Sequence, residues 1–319
     1  MPHILIAGKL HPAGLALLDR TPSLTYTHVE EVSEASYQPY LADADAMVIR
    51  TQPMSAGSIA LATRMQIVSR HGVGYDAVDL SALNARQIPL CIVGDVNSVS
   101  VAEHAMMFIL AAAKKLIQAD SSVRNGPWEW RNKLQAVEIS GRRLLIIGYG
   151  RIGRHLARMA SGFNMEIRAY DPFLETKGWP AGNVKAAPDL NEALGWADVI
   201  SVHAPKADRP LIGSAEIALM KREAILINTA RGGVIEESAL AAALAEGRIG
   251  AIGTDVFDEE PPCRTHPLLR LEQVVLTPHI AGLTIQAAER MAISSVQNII
   301  DYFAGTLSPE LIVNKDHLQ

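Results

Sequence analysis

The stretch RRLLIIGYGRIGRHLARMASG, residues 142–162, decides the fold class of this chain. It begins as an apolar run typical of a buried strand, passes through Gly148, Gly150 and Gly153, and continues as a helical segment that ends at Gly162. In this context the first glycine allows a tight turn, the second lets the backbone approach a pyrophosphate, and the third lets the helix pack on the strand. The stretch therefore predicts a dinucleotide site at the helix N-terminus, where N–H groups and the helix dipole favour phosphate.

Asp171 directly follows the next predicted strand, residues 165–170. A carboxylate at this position can accept hydrogen bonds from the ribose hydroxyls and would repel a 2′-phosphate, so it favours NAD over NADP. Arg168 should point to the opposite face of the strand, because side chains alternate along it. The alternative interpretation is an α/β protein without a nucleotide, in which Asp171 is only a turn residue before Pro172.

Short apolar runs recur along the chain with helix-like segments between most of them, which favours parallel sheets covered by helices. One series of runs comprises residues 3–8, 46–50, 66–69 and 88–93, and a second comprises residues 144–148, 165–170, 198–202, 224–228, 250–254 and 274–277. Residues 98–118 are densely apolar and predict one long helix, either between domains or at a subunit interface. A last helix is predicted over residues 285–304, and the pattern leaves open where it packs.

Composition excludes several classes of protein. Apolar residues make up 49% and charged residues 20% of the 319 residues, as in a globular chain with a sizeable core. The net charge is −5 without basic runs, so no nucleic-acid partner is expected. Cys91 and Cys263 form no CxxC pair, and the histidines show no metal-ligand spacing, so no metal is expected. The first residues do not resemble a signal peptide, and no apolar run is long enough for a membrane helix, which predicts a cytoplasmic protein.

Three charged residues follow predicted strands of the second series: Arg231, Glu260 and His279. Ligands of open parallel sheets bind outside the carboxyl ends of the strands, so all three fall on the edge where a nicotinamide would lie. A histidine can accept the hydroxyl proton when hydride leaves an alcohol carbon, a carboxylate can orient it, and an arginine fork can hold a substrate carboxylate. Taken singly, His279 could be only a turn residue, Glu260 a solvated loop residue and Arg231 a surface ion-pair partner.

At this point the sequence resembles a known family. The segments HGVGYDAVDL, NSVSVAEHA, GYGRIG, NTARGGVIEESAL, TDVFDEEPP and TPHIAG resemble motifs of the D-isomer-specific 2-hydroxyacid dehydrogenases, and most of all the phosphoglycerate dehydrogenases. The resemblance extends from about residue 4 to about residue 314. It implies an α/β fold in which a Rossmann NAD-binding domain, residues 98–283, is inserted in a flavodoxin-like substrate domain, residues 1–97 with 284–319. It also implies an active site in the cleft between the domains, NAD as cofactor and a homodimer.

The resemblance also implies roles for individual positions. Arg231 would hold the substrate carboxylate and carbonyl oxygen, Glu260 would orient His279, and His279 would be the acid/base. Further substrate contacts would come from Arg50, Arg70, Val73 and Gly74. Besides His279, the cofactor-binding positions would be Gly148, Gly150, Arg151, Ile152, Gly153, Asp171, His203, Pro205, Thr229, Ala230, Asp255 and Gly282.

The expected substrate is a small anionic 2-hydroxy or 2-keto acid. Arg50 and Arg70 match the phosphate side of the pocket in phosphoglycerate dehydrogenases, which favours 3-phosphoglycerate and phosphohydroxypyruvate. Hydroxypyruvate or glyoxylate is the alternative, and formate is disfavoured because formate-oxidising relatives have Gln where Glu260 stands. His71 stands where the relatives usually have a small apolar residue. It either alters the substrate pocket or packs under the neighbouring loop. The sequence stops before the C-terminal regulatory domain of many phosphoglycerate dehydrogenases, so feedback by serine is not expected.

Two other functions are compatible with the same fold. Co-repressors that sense NAD(H) resemble this family and keep the charged trio, although the chain lacks their long disordered tails. Hydrolases of the adenosylhomocysteine type also bind NAD, but their additional length and motifs are missing here. The expectation is therefore an enzyme, an NAD-dependent dehydrogenase of D-2-hydroxy acids, with an NAD(H)-sensing binding protein as the alternative.

Overall fold

The computed structural model describes residues 1–318. The chain forms two compact units, Met1–Asn97 together with the segment from Leu283 onward, and Ser98–Gly282. Each unit contains one parallel sheet. Among the described residues, no helix is long and apolar enough to cross a membrane.

Strands and helices alternate along most of the chain. Up to Asn97 they are β1 (His3–Ala7), α1 (Pro12–Asp19), β2 (Thr25–Val29), α2 (Glu34–Tyr37), β3 (Ala46–Ile49), α3 (Ala56–Leu61), β4 (Ile67–Arg70), α4 (Leu80–Ala85) and β5 (Leu90–Cys91). The second unit has α5 (Ser98–Ala113), α6 (Leu116–Asn125), β6 (Arg143–Ile147), α7 (Arg151–Ser161), β7 (Glu166–Tyr170), α8 (Pro172–Lys177), β8 (Lys185–Ala186), α9 (Leu190–Trp196), β9 (Val199–Val202), α10 (Ser214–Leu219), β10 (Ile225–Asn228), α11 (Glu237–Ala245), β11 (Ala251–Thr254) and β12 (Val274–Leu276). The last long helix is α12 (Ile285–Ala304), and short 3-10 helices cover Gln38–Asp43, Trp128–Lys133, Pro267–Arg270, Pro309–Leu311 and Lys315–His317.

The sheet of the first unit has the order β2-β1-β3-β4-β5, with every pair parallel. This is the flavodoxin-like order. Strand β3 is buried at every residue, because helices cover both faces of the sheet. One face packs on α2, α3 and α4, and the other packs on α1 and α12. The hydrophobic core of the first unit therefore includes α12, although this helix comes last in the chain.

The sheet of the second unit has the order β12-β11-β10-β9-β6-β7-β8, again with parallel pairs. It is the Rossmann order extended by one strand, β12. Along β6, Leu144 and Ile146 face α5 and α7, whereas Leu145 and Ile147 face the core formed with α9, α10 and α11. The fold class predicted from the sequence, a Rossmann sheet together with a flavodoxin-like sheet, is confirmed.

The single helix predicted over residues 98–118 is wrong in one respect. Helix α5 ends at Ala113, Lys115 adopts a left-handed conformation with φ of 51°, and α6 begins at Leu116. The two helices differ in environment, because α5 buries most of its residues in the core of the second unit and α6 buries none. A continuous apolar pattern cannot reveal such a break, since one left-handed residue redirects the chain without changing the composition around it.

Candidate active site

The glycine-rich turn joins β6 to α7. Gly148 has φ of +89°, and a Cβ on it would lie 2.8 Å from the carbonyl carbon of His203. A Cβ on Gly153 would collide with the carbonyl oxygen of Gly148, so only glycine lets α7 approach β6 this closely. A Cβ on Gly150 would meet nothing within 4 Å, which leaves open space beside the middle of the turn. The turn therefore has the backbone shape that accommodates a pyrophosphate.

This turn lies where the strand order of the sheet reverses. Strand β6 has β7 on one side and β9 on the other, and ligands of open α/β sheets bind at such a switch point. Most of the other predicted cofactor positions lie in loops at this same edge, and their places follow from the strands that precede them. Arg151 and Ile152 start α7, His203 and Pro205 follow β9, Thr229 and Ala230 follow β10, Asp255 follows β11, and Gly282 ends the unit.

Asp171 connects the glycine-rich turn to the helix after β7. One carboxylate oxygen accepts the N–H of Tyr149 at 2.8 Å, and the other accepts the N–H groups of Phe173 and Leu174, each at 3.1 Å. Asp171 thus caps α8 and fixes the glycine turn. A carboxylate has about four lone-pair sites, so it can still accept a ribose hydroxyl. Arg168 lies elsewhere, 4.3 Å above the ring of Trp196.

His279 and Glu260 form a hydrogen-bonded pair after β12 and β11. The Nδ1 of His279 lies 2.7 Å from Oε2 of Glu260, and Oε1 of Glu260 accepts the N–H of Phe257 at 3.1 Å. The side chains are 50% and 36% exposed, so solutes can reach them. A carboxylate can only accept a hydrogen bond, so the pairing places the proton of neutral His279 on Nδ1 and leaves Nε2 as a proton acceptor.

Asp255 lies beneath the loop that carries His279. Its side chain is 1% exposed. Its carboxylate accepts the hydroxyl of Thr277 at 2.5 Å and the N–H groups of Ile280 and Ala281, each at 2.8 Å, while its carbonyl oxygen accepts the N–H of His279 at 2.9 Å. The resemblance implies that Asp255 is a cofactor-binding position. In the structure its contacts anchor residues 279–281.

Arg231 lies in a loop that packs tightly on the segment before Glu260. A Cβ on Gly232 would collide with the carbonyl oxygen of Phe257, so glycine is required for this close approach. The amide nitrogen of Gly233 donates to the carboxylate of Asp258. Arg231 itself donates from Nη1 to the carbonyl oxygen of Ala230 at 2.7 Å. The loops after β10 and β11, which carry Arg231 and Glu260, are therefore held to each other.

His203 is a further titratable group at this edge. Its Nε2 lies 2.9 Å from the hydroxyl of Ser201, and its Nδ1 lies 3.4 Å from the hydroxyl of Thr229. Burial lowers the pKa of His203 to about 4, so the ring is neutral at pH 7. The structure therefore uses both ring nitrogens of His203 to join the ends of β9 and β10.

The predicted substrate residues of the first unit also follow strands. Arg50 follows β3 and donates to the carbonyl oxygen of Lys9 at 3.2 Å, and Arg70 ends β4 and donates to the carbonyl oxygen of His71 at 2.8 Å. The ring of His71 is buried, and neither of its nitrogens has a hydrogen-bond partner among residues 1–318. Burial, with Arg50 and Arg70 nearby, lowers its pKa to about 4. Val73 is exposed, and Gly74 follows it in the same loop.

Sequence reasoning missed two residues that contact this site. Thr277 bridges Asp255 to the Nε2 of His104, which lies 2.9 Å from the Thr277 hydroxyl. Thr277 belongs to the TPHIAG segment, so its position beside His279 was a usable signal. His104 is distant in the sequence, but it belongs to the NSVSVAEHA segment that carries the family resemblance, and this was the signal that could have found it.

The sheet order and the turn at its switch point define a dinucleotide-binding α/β protein, and the hydrogen-bonded pair of His279 and Glu260 lies at the same edge of the sheet. Residues 106–281 match the family model described as D-isomer specific 2-hydroxyacid dehydrogenase, NAD binding domain. The chain belongs to this family, which confirms the resemblance seen in the sequence.

Individual relatives extend the match beyond that domain. The chain is 36% identical to D-3-phosphoglycerate dehydrogenase of Methanocaldococcus jannaschii, over 100% of this chain and 60% of that protein. It is 37% identical to glyoxylate reductase of Korarchaeum cryptofilum, over 85% of this chain and 83% of that protein. The crystal structure of the TT0316 protein from Thermus thermophilus superposes with a TM-score of 0.88 at 28% identity, covering 96% of this chain and 98% of that one. The chain spans 50% to 60% of the length of the first phosphoglycerate dehydrogenases it matches.

Proposed function

We propose that the protein is an NAD-dependent dehydrogenase of small D-2-hydroxy acids, with His279 as the acid/base. The observation that carries this proposal is the 2.7 Å contact between His279 and Glu260 at the edge of the sheet that also carries the glycine-rich turn. NAD(H), when bound, supplies the hydride acceptor or donor. The family match to an NAD-binding domain and the fit of the turn to a pyrophosphate both support this cofactor.

The residues of the chain account for the proton that accompanies the hydride. Glu260 holds the Nδ1 proton of His279, so Nε2 can accept the substrate hydroxyl proton during oxidation and return it during reduction. Glu260 also stabilises the imidazolium that forms. We assign the substrate carboxylate to Arg231, whose planar guanidinium can form two parallel hydrogen bonds, and to the backbone N–H groups of Val73 and Gly74.

For the cofactor, we assign the pyrophosphate to the glycine-rich turn with Arg151 and Ile152, and the ribose to Asp171. The nicotinamide side of the site is assigned to Thr229, Ala230 and Asp255, and Gly282 is a further proposed cofactor position. His203 and Pro205 are assigned to the adenosine side.

For the substrate we propose a small anionic 2-keto acid, either phosphohydroxypyruvate or one of hydroxypyruvate and glyoxylate. Arg50 and Arg70 supply positive charge at strand ends of the first unit, which suits a phosphate or a second anionic group. The names of the relatives, D-3-phosphoglycerate dehydrogenase and glyoxylate reductase, support the same two candidates.

The test is oxidation of NADH, followed by its absorbance, with phosphohydroxypyruvate, hydroxypyruvate, glyoxylate and pyruvate, and with NADPH in parallel. We expect turnover with at least one of these acids and a preference for NADH. If none is reduced although NADH binds, the dehydrogenase proposal is wrong and the NAD(H)-sensing binding protein gains support.

We further propose a homodimer formed through residues 116–137. This segment buries no residue of α6 and exposes large apolar side chains, which monomeric proteins seldom display in such density. They are Leu116, Ile117, Val123, Trp128, Leu134 and Val137. A second copy of the chain is the proposed occupant. Light scattering should give twice the chain mass for the wild type and the chain mass for the variant Trp128→Glu with Leu134→Asp; a monomeric wild type contradicts the proposal.

The compartment is proposed to be the cytoplasm. Cys91 is buried, Cys263 is exposed, and both are free thiols. Free cysteines are typical of proteins in reducing compartments.

A further inference from the structure

A chain of hydrogen bonds runs from α5 to the loop that carries His279. His104, on α5, places Nε2 at 2.9 Å from the hydroxyl of Thr277, and that hydroxyl lies 2.5 Å from the carboxylate of Asp255. The same carboxylate accepts the N–H groups of Ile280 and Ala281. All these residues belong to the second unit, so the whole series of hydrogen bonds lies within one compact unit.

The chemistry of the groups fixes the direction of these bonds. The carboxylate of Asp255 only accepts, so the single hydroxyl proton of Thr277 is donated to it. The hydroxyl oxygen must then accept from His104, which places a proton on the Nε2 of His104. Desolvation lowers the pKa of His104, although Asp255 raises it, and the neutral ring still provides the required donor.

The loop at the end of this chain needs external support. His279 has φ of 52°, in the left-handed region that residues with a side chain seldom adopt. Such a conformation costs free energy and persists only where surrounding contacts determine it. Asp255 supplies those contacts on both sides of the peptide, through its carbonyl oxygen and its carboxylate.

His104 is anchored on the other side by packing. Its ring meets Phe108 edge-on, with ring centroids 4.6 Å apart. Phe108 is fully buried, and a Cβ on Gly253 would lie 2.6 Å from its ring. Phe108 therefore packs so closely on β11 that only glycine fits at residue 253. An apolar ring would fill the position of His104 at a lower desolvation cost than an imidazole. The histidine is therefore best explained by the hydrogen bond that it donates.

We infer that His104 is a positioning residue for the proposed reaction, holding the His279 loop through Thr277 and Asp255. This inference rests on the proposed dehydrogenase function for its kinetic consequence. His104 acts on the loop through Thr277, and its Nε2 also lies 3.9 Å from the carboxylate of Asp255. A misplacement of His279 by about 1 Å is enough to slow a proton transfer by up to about a hundredfold.

The kinetic test compares two substitutions of His104 in the full-length protein. His104→Phe keeps a ring against Phe108 but removes the donor, and His104→Gln keeps an N–H at similar reach. We expect kcat to fall about 10- to 100-fold in His104→Phe, with NADH affinity within about twofold of the wild type, and to recover largely in His104→Gln. His155→Phe, on α7 and partly buried like His104, is the matched control. Equal losses in both His104 variants, or a loss confined to NADH affinity, would overturn the inference.

Hydrogen exchange tests the same series of hydrogen bonds without measuring turnover. The amides of Ile280 and Ala281 should lose protection by up to about tenfold in His104→Phe and in Thr277→Val, and should keep it in His104→Gln and Thr277→Ser. Unchanged protection in the two disruptive variants would refute the positioning role. If the wild type reduces none of the acids, the proposed function fails, while this measurement still decides whether His104 holds the loop.

Discussion

Two histidines, the half-buried His203 and the buried His71, follow strands of the two sheets, and their surroundings differ. His203 follows β9 in the second unit, and both of its ring nitrogens meet hydroxyl groups. His71 follows β4 in the first unit, and its nitrogens meet no partner among the described residues. Burial lowers the pKa of both to about 4. The end of β9 is thus joined to β10 through both ring nitrogens of His203, whereas the end of β4 carries a neutral ring that has Arg50 and Arg70 nearby.

The largest expected effect tests the second unit directly. His279→Ala should lower kcat by roughly 10²- to 10⁴-fold, because the proposed proton acceptor is removed, while NADH still binds. Steady-state kinetics with the best acid of the panel and fluorescence titration with NADH measure the two quantities. An unchanged kcat would remove His279 from the mechanism. The strand ends of the second unit would then have no proposed acid/base residue.

The next largest effect concerns Arg231 in the second unit. Arg231→Lys keeps the charge but loses the planar fork, so kcat/KM should fall about 10- to 100-fold. The exposed Arg248 offers a matched control, since Arg248→Lys should leave kcat/KM unchanged. Normal kcat/KM in Arg231→Lys would show that a point charge suffices and that the carboxylate is held elsewhere.

A smaller effect is expected at Asp171, where cofactor choice is assigned. Asp171→Asn keeps an oxygen that can cap α8 but removes the negative charge that repels a 2′-phosphate. The ratio of kcat/KM for NADH to that for NADPH should fall about tenfold. Asp189→Asn is the control, because Asp189 caps α9 and has no proposed cofactor role. A ratio that stays constant at Asp171 would assign the preference to another residue.

The last prediction tests the first unit and concerns its stability, not turnover. The pKa of His71 is about 4 in the folded chain and about 6.5 when unfolded, so the unfolded chain takes up the proton first as pH falls. The stability attached to neutral His71 is complete above about pH 6.5 and is lost as pH falls toward 4. Between pH 7 and pH 5 the wild type should lose about 2 kcal/mol more of its unfolding free energy than His71→Phe. Urea denaturation at the two pH values measures the difference; equal losses would mean that His71 is protonated or paired in solution.

Most of the strands that the sequence predicted are buried, and the strands that it missed are partly or fully exposed. The apolar runs predicted the central strands, because these are buried on both faces. Edge strand β2 was missed, since none of its five residues is fully buried, and the two-residue β8 was missed because both of its residues are exposed. Helix α12 was predicted with its observed bounds, 285–304, because a capping threonine and a glycine in the left-handed region mark its ends locally.

By itself, the sequence determined the local requirements of the protein. Short-range sterics set the three glycines of the turn, and hydrophobicity sets the buried strands, because both act within a few residues. The positions of the charged residues at the strand ends follow from the strands that precede them. Only the tertiary structure decided the strand order, the packing of α12 on the first unit, and the bonds of Asp255 to Thr277 and of Thr277 to His104. Those contacts join residues far apart in the chain, and they form only when packing of the whole core has overcome the entropy of closing long loops.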